Sequence, residues 1–173
     1  ASQKTFTYIQ VDHALPNELL ITEIMADPSP VIALPDAEYI EIYNASTGVV
    51  RLSDYRLRAG SSETVLPDIL LFSHSYIIIC DEDKSALLEG IGPVAPVANF
   101  PSLTNSGSTV LLKDADEIIL HSVTYDLSWY HDPDKSDGGW ALEMINPTHI
   151  CSDKENWSAA QNLTGGTPGQ INT

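Results

Sequence analysis

The chain has 173 residues, 43% of them hydrophobic and 18% charged, enough apolar material for one packed domain and too much for a disordered one. Asp and Glu number 24 against 8 Lys and Arg, a formal charge of −16. That balance excludes a nucleic-acid or anionic-membrane binder, which must neutralise phosphates with cations, and no apolar run reaches the ~20 residues of a membrane helix. Protein partners, neutral sugars and cations remain open.

Residues 1–17 read as a leading strand or linker from a preceding domain. Phe6 to Val11 alternates at period two and breaks at Leu15-Pro16-Asn17, where proline removes a ladder donor. The first residue is Ala1, with no signal sequence before it, so a processed protein or an excised piece is expected. From residue 18 to 173 short β-rich runs alternate with turn clusters. Leu19 to Met25 is a strand closed by Asp27-Pro28-Ser29-Pro30, and Tyr39 to Tyr43 alternates with Ile40 and Ile42 on one face and Glu41 on the other. Val49 to Leu52, Tyr55 to Ala59 and Thr64 to Leu66 follow, then Ser75 to Cys80, the most β-branched run and the expected central strand. Asp81 to Gly90 offers one or two helical turns, with acids at its start and a glycine stop. Thr109 to Lys113 and Ile118 to Tyr125 form a hairpin around Asp114–Glu117, and Trp140 to Ile145 is a late strand. This spacing predicts an all-β sandwich or barrel, with Ile40, Ile42, Ile77, Ile79, Leu111 and Val123 in its core.

Asn44 and Asn105 precede chain reversals, where an Asn side chain bonds the backbone two residues on. Gly107, Gly165, Gly166 and Gly169 are expected at positive φ, with Pro168 fixing the last turn. The glycines do not make a phosphate cradle, since no Lys follows and no helix begins there.

In order along the chain, Ile21-Thr22-Glu23-Ile24-Met25, Glu38-Tyr39-Ile40-Glu41-Ile42-Tyr43-Asn44, Val50 to Leu57, Leu103 to Asp114 and Gly165-Gly166-Thr167-Pro168-Gly169 resemble the strands and closing loop of the lamin tail domain family, in its secreted bacterial branch. Ser108 stands where that family's hairpin often has Asp, and Asp116-Glu117 where a turn glycine is usual. The resemblance implies an all-β, immunoglobulin-like β-sandwich with no catalytic centre and no required cofactor. It further implies a docking, anchoring or spacing module of a larger extracytoplasmic bacterial protein, with neighbouring domains or other proteins as partners.

Enzyme motifs are missing. His13, His74, His121, His131 and His149 show no metal-binding spacing, and no serine sits in GxSxG or SxxK. The alternative to a docking role is a calcium-dependent or carbohydrate-binding module. Across residues 132–143, Asp132, Asp134, Asp137 and Glu143 fall near the register of an EF-hand loop, although Asp137 stands where its glycine belongs and no helices flank it. The plainer reading is a solvated loop partly balanced by Lys135. Trp129 and Tyr130 are the aromatic pair expected to be exposed if any sugar platform exists, against burial as core anchors. Cys80 and Cys151 would join in an oxidising compartment if their strand ends are neighbours, and otherwise stay free thiols.

Overall fold

The computed structural model describes residues 8–173. Its strands are, in chain order, β1 (Leu19–Met25), β2 (Tyr39–Asn44), β3 (Val50–Arg51), β4 (Arg56–Ala59), β5 (Ser62–Val65), β6 (Leu70–Leu71), β7 (Tyr76–Asp81), β8 (Val94–Val97), β9 (Gly107–Lys113), β10 (Ile119–Asp126), β11 (Leu142–Met144) and β12 (Trp157–Ala159). One α-helical turn, α1 (Ser85–Leu88), follows a 3₁₀ turn at Glu82–Lys84 whose N-cap, Asp81, accepts from the Asp83 N–H. A six-stranded sheet runs β12-β11-β1-β2-β7-β8, a four-stranded sheet β10-β9-β4-β5, and β3 pairs with β6. Among the named strands only β7 and β8 pair in parallel; β8 carries Pro96, tolerated because the strand lies at an edge. The all-β, immunoglobulin-like sandwich expected from the sequence is the fold.

The main core lies between the sheets. Ile24, Ile40, Ile42, Ile77, Ile79 and Leu142 from the larger sheet meet Leu57, Val110, Leu112, Leu120, Val123 and Tyr125 from the smaller. Leu111 is the exception among the expected core residues: it is half-buried, and its neighbours Val110 and Leu112 point inward. The pairing fixes this, because Val110 lies opposite Ala59 and Leu112 opposite Leu57, whereas Leu111 lies opposite Arg58. A one-residue slip moves every side chain of a strand to the other face. Strands β1, β2 and β7 are buried on both faces, since a second cluster of Met25, Leu34, Ala37, Tyr39, Ile78, Cys80, Leu88 and Ala141 covers the outer side of the larger sheet.

The expected strand at Phe6 to Val11 begins outside the described residues. Its described part is not a strand; Tyr8 to Val11 are exposed, and Asp12 alone makes a parallel bridge to Val50. From Ala14, which is buried and donates to Tyr55 Oη, the leading segment packs onto the sandwich. At the β9–β10 turn Glu117 itself takes φ +66°, where a glycine is usual. Asp114 makes this tolerable by accepting from the Asp116 and Ile118 N–H groups, and Glu117 bonds Arg56 and Lys113. Exposed ion pairs contribute ~0–1 kcal/mol, so Arg51→Ala, which breaks the exposed pair with Asp68, is expected to leave the melting temperature nearly unchanged in a thermal scan.

Candidate functional site

The residues 132–143 do not converge. Asp132 Oδ1 is occupied by the Asp134 and Lys135 N–H groups at 3.0 and 3.4 Å, as the cap of a short turn. Lys135 sits 4.4 Å over the Trp140 ring and donates to the Ala160 carbonyl at 2.7 Å, rather than to a carboxylate. Glu143 is on β11 with its side chain buried against the outer face of the larger sheet, where Thr167 and Thr173 donate to it. The calcium register expected of Asp132, Asp134, Asp137 and Glu143 is thus broken, because strand pairing carries Glu143 away from the loop. Among the described residues, the acidic set within ion-sharing distance is instead His13, Asp114 and Asp116. Asp114 is already fully used there, by the two turn N–H groups and by His13 at 3.0 Å, and these bonds hold its carboxyl below the usual range against the opposing effect of burial. Melting in chelator and in millimolar calcium, the range that extracellular modules bind, is expected to give the same midpoint; a calcium-dependent rise lost in Asp132→Ala/Asp134→Ala would contradict this.

Trp129 and Tyr130 are buried as core anchors, not exposed as a sugar platform would need. They lie in a 3₁₀ turn, Leu127–Tyr130, and the Trp129 ring packs against Trp157 at 6.1 Å between centroids. Both Trp129 and Trp157 border a cleft of about 510 Å³ with His121, Thr124, Ile150 and Asp153. His121 looks like a catalytic base in this position, but its Nδ1 accepts from the Ile21 N–H at 3.1 Å. Burial pushes its pKa down to about 4. It is a neutral tie between β10 and β1.

The two cysteines are free, Cys80 buried in β7 and Cys151 exposed between β11 and β12. The expected bridge fails on sheet order. Strands β7 and β11 are separated by β2 and β1, three spacings or about 14 Å, and a disulfide needs Cα atoms within roughly 7 Å. Burial, with a smaller effect from Asp81, pushes the Cys80 thiol up to about 11. A thiol reagent is therefore expected to modify Cys151 in the folded protein and Cys80 only after denaturation. Finding no reactive thiol in denaturant without reductant would restore the bridge.

The densest polar constellation is one that sequence reading missed. Glu23, Glu41 and Glu143 are each at most 1% exposed. They stand side by side on β2, β1 and β11, because Glu23 lies directly opposite Glu41 on one side and Glu143 on the other. A register shift between Ile21 and Glu23 places Thr22 beside them, where its hydroxyl donates to Glu41 Oε1 at 2.7 Å. Residues 165–173 cross this face as a strap. The Thr167 N–H donates to Glu23 Oε1 at 3.2 Å, the Thr167 hydroxyl to Glu143 Oε1 at 2.6 Å, and the Gly169 N–H to Glu41 Oε2 at 2.6 Å. Asn172 Nδ2 donates to the carbonyls of Thr22 and Met144, and Thr173 donates twice to Glu143 Oε2. Beneath the strap, Tyr39 Oη donates to Glu23 Oε1 at 2.5 Å.

Of the strap glycines, Gly165 and Gly169 have positive φ as expected, and Gly166 does not. Gly166 is required by contact instead, for a Cβ there would lie 2.4 Å from Glu23 Oε1. Asn44 bonds the Ser46 N–H two residues on, as expected, whereas Asn105 reaches across to Asp27. The one available signal for the triad was a glutamate within each of three largely apolar runs, Ile21 to Met25, Tyr39 to Tyr43 and Ala141 to Met144.

Residues 13–126 match the Lamin Tail Domain family, a span that holds Glu23 and Glu41 and stops short of Glu143 and the strap. No curated protein matches the chain.

Proposed function

Since the chain belongs to the lamin tail domain family, a family of immunoglobulin-like and generally non-catalytic interaction domains, we propose that it is a docking, anchoring or spacing module of a larger extracytoplasmic bacterial protein. Its partners on this reading are neighbouring domains of the same chain or other proteins. The observation that carries it is how the ionisable groups are used. Glu23, Glu41 and Glu143 are sealed under the strap, His121 is a neutral tie, and Asp114 caps a turn. Each of these groups is committed to a hydrogen bond that holds the fold, including His121, which borders the Trp129–Trp157 cleft but is bonded to the Ile21 N–H.

Charge narrows the partner. Arg51, Arg56 and Lys113 are paired with carboxylates, and Lys84, Lys135 and Lys154 are bonded to backbone or hydroxyl oxygens. The acidic excess is what remains to face outward, which favours a basic surface and a salt-sensitive association. No helix among the described residues is long and apolar enough to cross a membrane. Calorimetric titration with the flanking domains of the same reading frame is expected to show binding that weakens as salt rises. Turnover of ester, peptide, glycosidic or phosphodiester substrates by the purified domain would overturn the reading.

A further inference from the structure

Three carboxyl groups on adjoining strands, all turned to one covered face, are an unusual way to build a sheet. Like charges directly opposite one another across strands are destabilising, and an ionised carboxylate out of water is costly unless it is paired. Among the described residues, the charged groups that act on Glu23 and Glu41 are other acids, with no lysine, arginine or histidine. They are Glu23 on β1, Tyr39 and Glu41 on β2, Glu143 on β11, and Tyr76 on β7, which feels Glu41. The strap brings no charged side chain, since residues 165–173 read Gly-Gly-Thr-Pro-Gly-Gln-Ile-Asn-Thr.

The hydrogen-bond inventory is also unbalanced. Oxygen Oε1 of Glu23 accepts from Tyr39 and Thr167, but its Oε2 is fully buried with no partner, and so is Asn172 Oδ1 in the strap above it. A bare carboxylate would leave a half-charge at that oxygen unmet. A protonated carboxyl carries no net charge there, and a neutral group costs far less to bury than an ionised one. A shared metal ion does not fit, because among the described residues the set close enough to hold one is His13, Asp114 and Asp116, not the three glutamates.

We propose that the strap is a proton-linked latch: Glu23 and Glu41 keep residues 165–173 docked while they hold protons, and losing those protons lets the strap lift and bares three carboxylates on the outer face of the larger sheet. Burial is the largest influence on both groups, reinforced by neighbouring carboxylates, and it outweighs the hydrogen bonds that favour the charged form. It raises Glu41 to about 8 and Glu23 well above the ordinary carboxyl range. The sign follows from linkage. A group whose docked pKa exceeds its free value stabilises the docked state fully at low pH and loses that contribution as pH rises through the docked value. For Glu41 the window runs from 4.5, its ordinary value, to about 8. The latch is closed in mildly acidic surroundings and loosens in alkaline ones, opposite to the carboxylate ion pairs that acid breaks.

Amide hydrogen exchange, corrected for hydroxide catalysis, reads the latch at Thr167 and Gly169, with the Ile78 N–H, bonded to Pro93, as an internal reference on β7. In the wild-type chain, protection at Thr167 and Gly169 is expected to fall from about pH 6 to about pH 8, by about tenfold per pH unit where one of the two protons leaves and up to about a hundredfold where both do, while Ile78 holds. The Glu23→Gln/Glu41→Gln variant keeps side-chain size without the ionisation, and its strap is expected to stay protected across the same range. Protection at Thr167 and Gly169 that is flat with pH in the wild-type chain, or that falls in step with Ile78, would overturn the proposal whether or not the variant folds.

Discussion

Alanine at position 166 is expected to cost the folded state about 3 kcal/mol, at the upper end of what overpacking does. A Cβ there meets Glu23 Oε1 at 2.4 Å, Leu34 Cδ1 at 2.9 Å and Tyr39 Oη at 2.9 Å. Glu23 and Tyr39 have little room to step aside, since both are wholly buried and hydrogen-bonded to each other. To admit the methyl group the strap has to rise, and the bonds from Thr167 and Gly169 to the triad lengthen or break. Gly90→Ala is the matched control, because nothing lies within 4 Å of a Cβ at that position; surface changes of this kind stay within about 0.5 kcal/mol. Urea unfolding of the two variants compares them directly. Equal midpoints would mean that the strap does not press on Glu23.

Asn44→Ala is the second large effect, at roughly 3 kcal/mol. Asn44 ends β2, is fully buried, and holds three backbone segments at once. Its Nδ2 donates to the carbonyls of Gly48 and Leu71, each at 3.0 Å, and its Oδ1 accepts from the Ser46 N–H and hydroxyl. Each buried group left unsatisfied costs about 1–3 kcal/mol, and the alanine takes the donor away from both the Leu71 and the Gly48 carbonyls. Asn44→Asp separates the two roles. It keeps the acceptor for Ser46 but sets an anionic oxygen against the carbonyls, so it is expected to be no more stable than the alanine variant. A denaturant midpoint for Asn44→Asp close to wild type would show that the donor bonds contribute little.

The parts of this fold that were legible in the sequence are those where local pattern and tertiary burial agree. Strands β2, β7 and β10 read correctly because alternation or β-branched density marks them over at least six residues. Strands β6, β8 and β12 were not foreseen: two to four residues carry too little pattern, and Pro96 argues against a strand unless its edge position is known. Leu111 was placed on the wrong face because a continuous apolar run does not reveal its own register. The disulfide expectation failed on the order of strands in the sheet, which spacing along the chain does not encode.

The triad was hidden for a related reason. A glutamate alternating with isoleucines, as Glu41 does, reads as the solvent side of a half-buried strand. Its actual cover comes from Gly169, 128 positions later, and the cover over Glu23 from Thr167, 144 positions later. The closing glycine-rich segment was recognisable as a turn, but not as the lid of a carboxyl cluster. Local chemistry specified the pieces, and their meeting depended on topology.

The central claim is that the ionisable groups of this domain serve its architecture, with the glutamate triad held neutral in part beneath the strap. Carboxyl-carbon NMR titration of Glu23 and Glu41 measures this most directly. The account predicts that Glu41 titrates at about 8 and that Glu23 stays protonated well above the ordinary 4.5. Both side chains titrating near 4.5, as solvent-exposed glutamates do, would contradict it.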